Sequence, residues 1–140
     1  MKDEIISFET AKLAKEKGFN EPCNSFYDLY NNPDNNLIIS ISVKDNWNNY
    51  KSISVPTQSL LQKWLREVHN IQIEVMLYHM HGKWVGEKYK YGIYRICKNE
   101  EEWNNTNKYN MEECFHKDNE NSTYEEALEA GLLEGLKLIK

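Results

Sequence analysis

The residues with the clearest chemical potential in this 140-residue chain crowd into one stretch: Lys83, Trp84, Lys88, Tyr89, Lys90, Tyr91, Tyr94 and Arg95. Lysine and arginine hold phosphate oxygens through charge-assisted hydrogen bonds, and flat rings stack on bases. Together they suit a ligand that carries both phosphate and base. In an extended strand the alternation puts Tyr89, Tyr91 and Arg95 on one face and Lys90 and Tyr94 on the other. Lys63 and Arg66, on the preceding helical segment, can lie nearby. The competing reading is structural, since strands carry tyrosines for packing and lysine stems wrap around them.

Other chemistries are poorly served. His79 and His81 would point the same way from a strand, with Cys114 or His116 as further donors, but the spacing matches no zinc pattern, and no metal is expected. Cys23, Cys97 and Cys114 are odd in number and far apart, with no CxxC pair, and read as reduced thiols, Cys23 and Cys97 as buried small hydrophobes. A thiol nucleophile needs a lowered pKa, and neither Cys23 nor Cys97 sits in a recognisable setting for one. Glycine-rich phosphate loops, HExxH and GxSxG are absent. No catalytic residue and no cofactor are expected, so the chain reads as a non-enzyme.

Charge is unevenly spread. The net charge is −5, yet Lys44 to Lys98 holds nine Lys/Arg against four Asp/Glu, and Lys98 to Glu120 holds seven acids against three bases. A basic centre with an acidic excursion attached differs from a uniformly acidic protein, because steering follows local potential. A pI near 5.4 argues against duplex nucleic acid as a partner, for want of a broad basic surface. The N-terminus leads into an amphipathic helix, not a signal peptide, and no apolar run reaches membrane-spanning length, so no membrane contact and a cytoplasmic location are expected.

The elements that must position these residues follow from apolar periodicity. A helix is predicted from Phe8 to Lys17, capped by Ser7 and stopped at Gly18. Asn20 to Asn36, with Pro22, Pro33, Phe26, Tyr27 and Tyr30, reads as an irregular packed connection. Leu37, Ile39, Ile41 and Val43 alternate on one face of a half-buried strand, which a turn around Trp47 joins to a second strand, Tyr50 to Val55, as a hairpin. Pro56 ends the sheet and Thr57 caps a central helix with Leu60, Leu61, Trp64, Leu65 and Val68 on one stripe. Ile71, Ile73, Val75 and Leu77 then alternate inward on a strand, and a polar tip from His79 to Glu87 leads to another, Tyr89 to Cys97.

The last helix has two capping-box spacings, Ser122–Glu125 and Thr123–Glu126. Its ridge is Tyr124, Leu128, Leu132, Leu136 and Ile139. Beside the ridge, Ala127, Gly131 and Gly135 form a groove for close packing. The predicted class is α+β, one domain over 1–140 in the order α-β-β-α-β-β-α, with a single antiparallel or mixed sheet and helices on one face. Residues 99–121 form an acidic, Asn-rich insertion, a lid, an interaction patch or a disordered loop, with Trp103, Tyr109, Met111 and Phe115 in it.

Four fragments carry a resemblance: Ile6 to Leu13 with Lys17-Gly18-Phe19, Pro22-Cys23, Pro56 to His69, and Tyr124 to Leu132. They resemble a family of small uncharacterised proteins carried by tailed phages, prophages and mobile elements of gut anaerobic bacteria. The resemblance covers most of the chain except 98–121, where family members have a much shorter connection. It implies a phage or mobile-element product working in the cytoplasm of an infected or lysogenic host, and it brings no catalytic residues.

The function expected is a non-enzymatic accessory binding protein that sequesters an anionic, nucleotide-like signal of host defence. Lys83, Lys88, Lys90 and Arg95 would contact phosphates, with Trp84, Tyr89 and Tyr91 stacking. The alternative is a protein–protein module, a virion component or an inhibitor of a host protein, docking through Trp47, Trp103 and the acidic loop. Homo-oligomerisation is compatible with either.

Overall fold

Three hydroxyl side chains open the three main helices. The computed structural model describes residues 3–31, 37–78, 88–107 and 120–140. In it Ser7, Thr57 and Thr123 are N-caps whose oxygens accept from the amides of Thr10, Leu60 and Glu126 at 3.1–3.3 Å. Each satisfies an amide that the first helical turn leaves without a partner. The helices they start are α1 (Phe8–Glu16), α2 (Gln58–His69) and α4 (Tyr124–Lys137). Of the two capping-box spacings, Thr123–Glu126 is the one used, and the Glu126 carboxylate also accepts from the Ser122 amide at 3.0 Å. Gly18, at φ 87°, ends α1, and Asn70, at φ 56° and ψ 35°, ends α2 in the same left-handed conformation.

Asn70 leads directly into β4 (Ile71–Tyr78), which pairs antiparallel with β5 (Lys88–Arg95) from Ile71↔Arg95 to Tyr78↔Lys88. Alternation gives this pair a buried face carrying Ile71, Ile73, Tyr91 and Ile93, with Val75 partly buried. Helices α2 and α4 pack on it through Leu61, Trp64, Leu65, Leu128, Leu132 and Leu136. Fully burying a Leu or Ile contributes about 1.5–3 kcal/mol, so this layer is the main source of stability. The small-residue groove of α4 lets it sit close. A Cβ at Gly131 would lie 2.7 Å from Ile73 Cγ2 and 3.0 Å from Tyr91 Cβ. One at Gly135 would lie 2.9 Å from Ile73 Cδ1.

The other strands depart from the expected hairpin. β1 (Ser25–Asp28), within the segment read as an irregular connection, lies between β2 (Leu37–Ile39) and β3 (Ser52–Ser54), antiparallel to both. Pairing is thus antiparallel throughout the described residues but divided between two sheets instead of gathered in one. The reason lies in contacts with residues distant in the chain. Tyr27 meets the Phe8 ring edge-on at 5.0 Å, and Phe26 stacks on Trp47 at 4.4 Å, so both faces of β1 have aromatic contacts. Ser52 and Ser54 are buried polar residues because they bind the 47–48 segment: the Ser52 hydroxyl donates to the Trp47 carbonyl, and the Ser54 hydroxyl accepts from the Trp47 amide.

The stripe expected to be half-buried on the first predicted strand is largely outside. Leu37 packs against the core, but Ile39 and Ile41 are 60% and 98% exposed. The insertion contributes a helix that periodicity did not show, α3 (Glu100–Asn107). Asn99 Oδ1 accepts from the Glu102 amide at 2.8 Å, and Glu102 accepts from the Lys98 amide at 2.7 Å. With these elements the chain is one small α+β domain. Among the described residues no helix is long and apolar enough to cross a membrane.

Candidate binding surfaces

The pleat of β5 divides the basic and aromatic residues between two faces. Tyr89, Tyr91 and Ile93 turn toward α4. Tyr91 is only 6% exposed and its ring root packs where a Gly131 side chain would be. Tyr89 meets Tyr124 edge-on at 6.4 Å, and its backbone exchanges two 2.9 Å hydrogen bonds with Asn121. The stacking role expected of Tyr91 is therefore closed to it, because its ring is part of the core. Arg95, exposed at the strand end, lies in register with Ile71 on this same side. Lys83 and Trp84 lie outside the described residues.

The opposite face carries Lys88, Lys90, Gly92 and Tyr94, all at two-residue steps. The Tyr94 ring lies back along the strand over Gly92, where a Cβ would stand 2.9 Å from both Cε2 and the hydroxyl oxygen. Glycine at this position leaves the space that the Tyr94 ring occupies over the strand. The signal was available in the sequence: a strand glycine two residues before an aromatic on the same face. Glu74, paired with Gly92, and Gln72, paired with Tyr94, complete the surface from β4. This face thus carries two lysines and one ring from β5 and one carboxylate from β4.

Trp47, expected as a partner contact, is tied down instead. Its ring stacks on Phe26, and Nε1 donates to the Cys23 carbonyl at 2.9 Å. The backbone of Trp103 belongs to α3, and its side chain lies outside the described residues. So do His79, His81, Tyr109, Met111, Cys114, Phe115 and His116. Among the described residues no group of three or more His, Cys, Asp or Glu is placed to hold a metal ion. Cys23 is buried, donates to the Ser25 carbonyl at 3.3 Å, and has its thiol pKa raised by that burial. Such a thiol stays protonated at neutral pH.

A cleft of about 670 Å³ opens where the starts of α1 and α4 meet, lined by Glu4, Glu9, Glu125, Glu126 and Glu129 with Ser7 and Thr10. Glu129 is committed to the fold. One carboxylate oxygen accepts from the Ser7 amide at 2.9 Å and the Thr10 hydroxyl at 2.5 Å; the other accepts from the Gln58 amide at 3.2 Å. It thereby joins three helices. The acidic lining repels anions, so the cleft is the wrong place for a phosphate.

No family model matches this chain, and neither a curated protein nor a solved structure matches it.

Proposed function

We propose that the chain is a non-enzymatic binding protein that holds an anionic, base-containing small molecule on the solvent face of β4–β5. Lys88 and Lys90 would meet phosphate oxygens and Tyr94 would stack on the base. The observation that carries this reading is the Tyr94 ring lying over Gly92 on the same strand face as the two lysines. Relative to the sequence expectation, stacking passes from Tyr89 and Tyr91 to Tyr94. The origin in a phage or mobile element, the host cytoplasm and a role in blunting a nucleotide signal of host defence belong to the same proposal, supported by the motif resemblance.

A thermal-shift screen against cyclic and linear nucleotides tests the reading. A rise in melting temperature that Lys88→Glu/Lys90→Glu abolishes is the expected result; base stacking of about 1–3 kcal/mol implies that Tyr94→Ala weakens binding about 5- to 150-fold. No stabilisation by any nucleotide would remove the small-molecule form. The second reading, a protein–protein module, is favoured by one observation of its own: the row of exposed aliphatic side chains along β2.

A further inference from the structure

We propose that Tyr30 and Tyr50 form a site for a small quaternary ammonium ion, which enters by displacing the side chain of Lys51. The Lys51 ammonium lies over both rings, 5.2 Å from each centroid. A cation in that position is attracted by the electron-rich face of each ring. Among the described residues it makes no ion pair and no hydrogen bond, so the two faces are its partners. The chain thus supplies from within an example of the head group that the ring pair holds.

The backbone fixes where both rings start. Beyond Asp28↔Ser52, the end of the β1–β3 ladder, the Leu29 amide donates to the Lys51 carbonyl at 2.8 Å. One further step sets Tyr30 across from Tyr50. Asp28 Oδ1 accepts from the amides of Tyr30 at 2.9 Å and Asn31 at 3.0 Å. Asn49 Oδ1 accepts from those of Lys51 at 2.7 Å and Ser52 at 3.1 Å. The two tyrosines are 74% and 84% exposed, so core packing is not what places them. Charge and hydration then select the ligand. The amides of Asn31 and Tyr30 hold the Asp28 carboxyl below the ordinary carboxylate range, and the Lys51 charge adds to this. An ionised carboxylate at the Tyr30 amide favours a cation over an anion or a zwitterion. A primary ammonium is strongly hydrated; a methylated one gives up less water on meeting the rings. Lys51 is exposed and long-stemmed, so its head can swing into solvent.

The pair lies at the end of the β1–β3 ladder and not on β4–β5, so this proposal and the nucleotide one can fail separately. Choline chloride is titrated into the full chain in place of sodium chloride, at constant ionic strength, and the tyrosine ring signals are followed by nuclear magnetic resonance. The signals of Tyr30 and Tyr50 are expected to move saturably. Lys51→Ala is expected to bind choline about 5- to 30-fold more tightly, because two cation–π contacts no longer compete. Tyr50→Phe should keep binding and Tyr50→Ala should lose it. All three variants should keep the wild-type circular dichroism spectrum, because these side chains stand in solvent. Glycine betaine, a zwitterion, should bind more weakly than choline. Ring signals that stay still in both the wild type and Lys51→Ala overturn the proposal. So does binding that survives Tyr50→Ala, an unchanged affinity in Lys51→Ala, or movement of these signals by a nucleotide and not by choline.

Discussion

The two sheets of this molecule solve the same burial problem to different degrees. In β4–β5, eight-residue strands pair along their whole length and receive two helices on one face, one of them brought close by Gly131 and Gly135. In β2–β1–β3 the strands are three or four residues long, and the aliphatic row on β2 runs into solvent. Length of pairing and closeness of helix packing, more than apolar content, decide which strand is core. Leu37 to Val43 is at least as aliphatic as Ile71 to Leu77, yet Ile73 is fully buried and Ile41 is almost fully exposed.

The sharpest way to break that contrast is to truncate one aliphatic side chain in each half. Leu132→Ala on α4 is expected to cost about 2–5 kcal/mol in urea unfolding, with transfer and cavity terms adding. Ile41→Ala should fall within about 0.5 kcal/mol of wild type, as exposed substitutions do. Equal losses would show that the two halves are not unequally packed. Gly131→Ala comes next. Alanine favours the helix by about 1 kcal/mol, but crowding Ile73 and Tyr91 costs about 1–3 kcal/mol, so a net loss is expected by calorimetry. Gly135→Ala should lose less, because its nearest contact is the flexible Cδ1 of Ile73.

Glu129→Gln probes the joint between the halves. The substitution sets an amide donor against the Gln58 amide and weakens the bonds from Ser7 and Thr10, for an expected loss of about 1–3 kcal/mol. The smallest effect concerns pH. His69 packs edge-on against Trp64 at 4.5 Å, and its Nε2 is buried without a hydrogen-bond partner among the described residues. Burial lowers its pKa below the ordinary 6.5. The unfolded chain therefore takes up the proton first. This contribution to stability is complete above pH 6.5 and is lost as pH falls through the depressed folded value. His69→Phe, which keeps a ring against Trp64, should flatten that part of the stability–pH curve.

Much of this architecture was legible in the sequence. Ser7, Thr57 and Thr123 announced the helices because an N-cap is a local device, readable from a few neighbouring residues. The inward alternation of Ile71, Ile73 and Val75 and the groove of Gly131 and Gly135 were legible because period and residue size are also local. Strand β1 was missed because its reasons are distant: Phe26 is held by Trp47, and Tyr27 by Phe8. The expected hairpin failed for the same reason, since adjacency in the chain does not set adjacency in a sheet. At the candidate site, alternation correctly separated Tyr91 from Lys90, but it could not show that the Tyr91 face was the one α4 covers.

Nuclear magnetic resonance titration with cyclic and linear nucleotides tests the binding proposal most directly. The expected result is a set of shifts at Lys88, Lys90 and Tyr94, with Gln72 and Glu74 across the ladder, strengthened in Glu74→Gln and absent around Glu129. Shifts centred on the acidic cleft, or no shifts with any nucleotide, would contradict it.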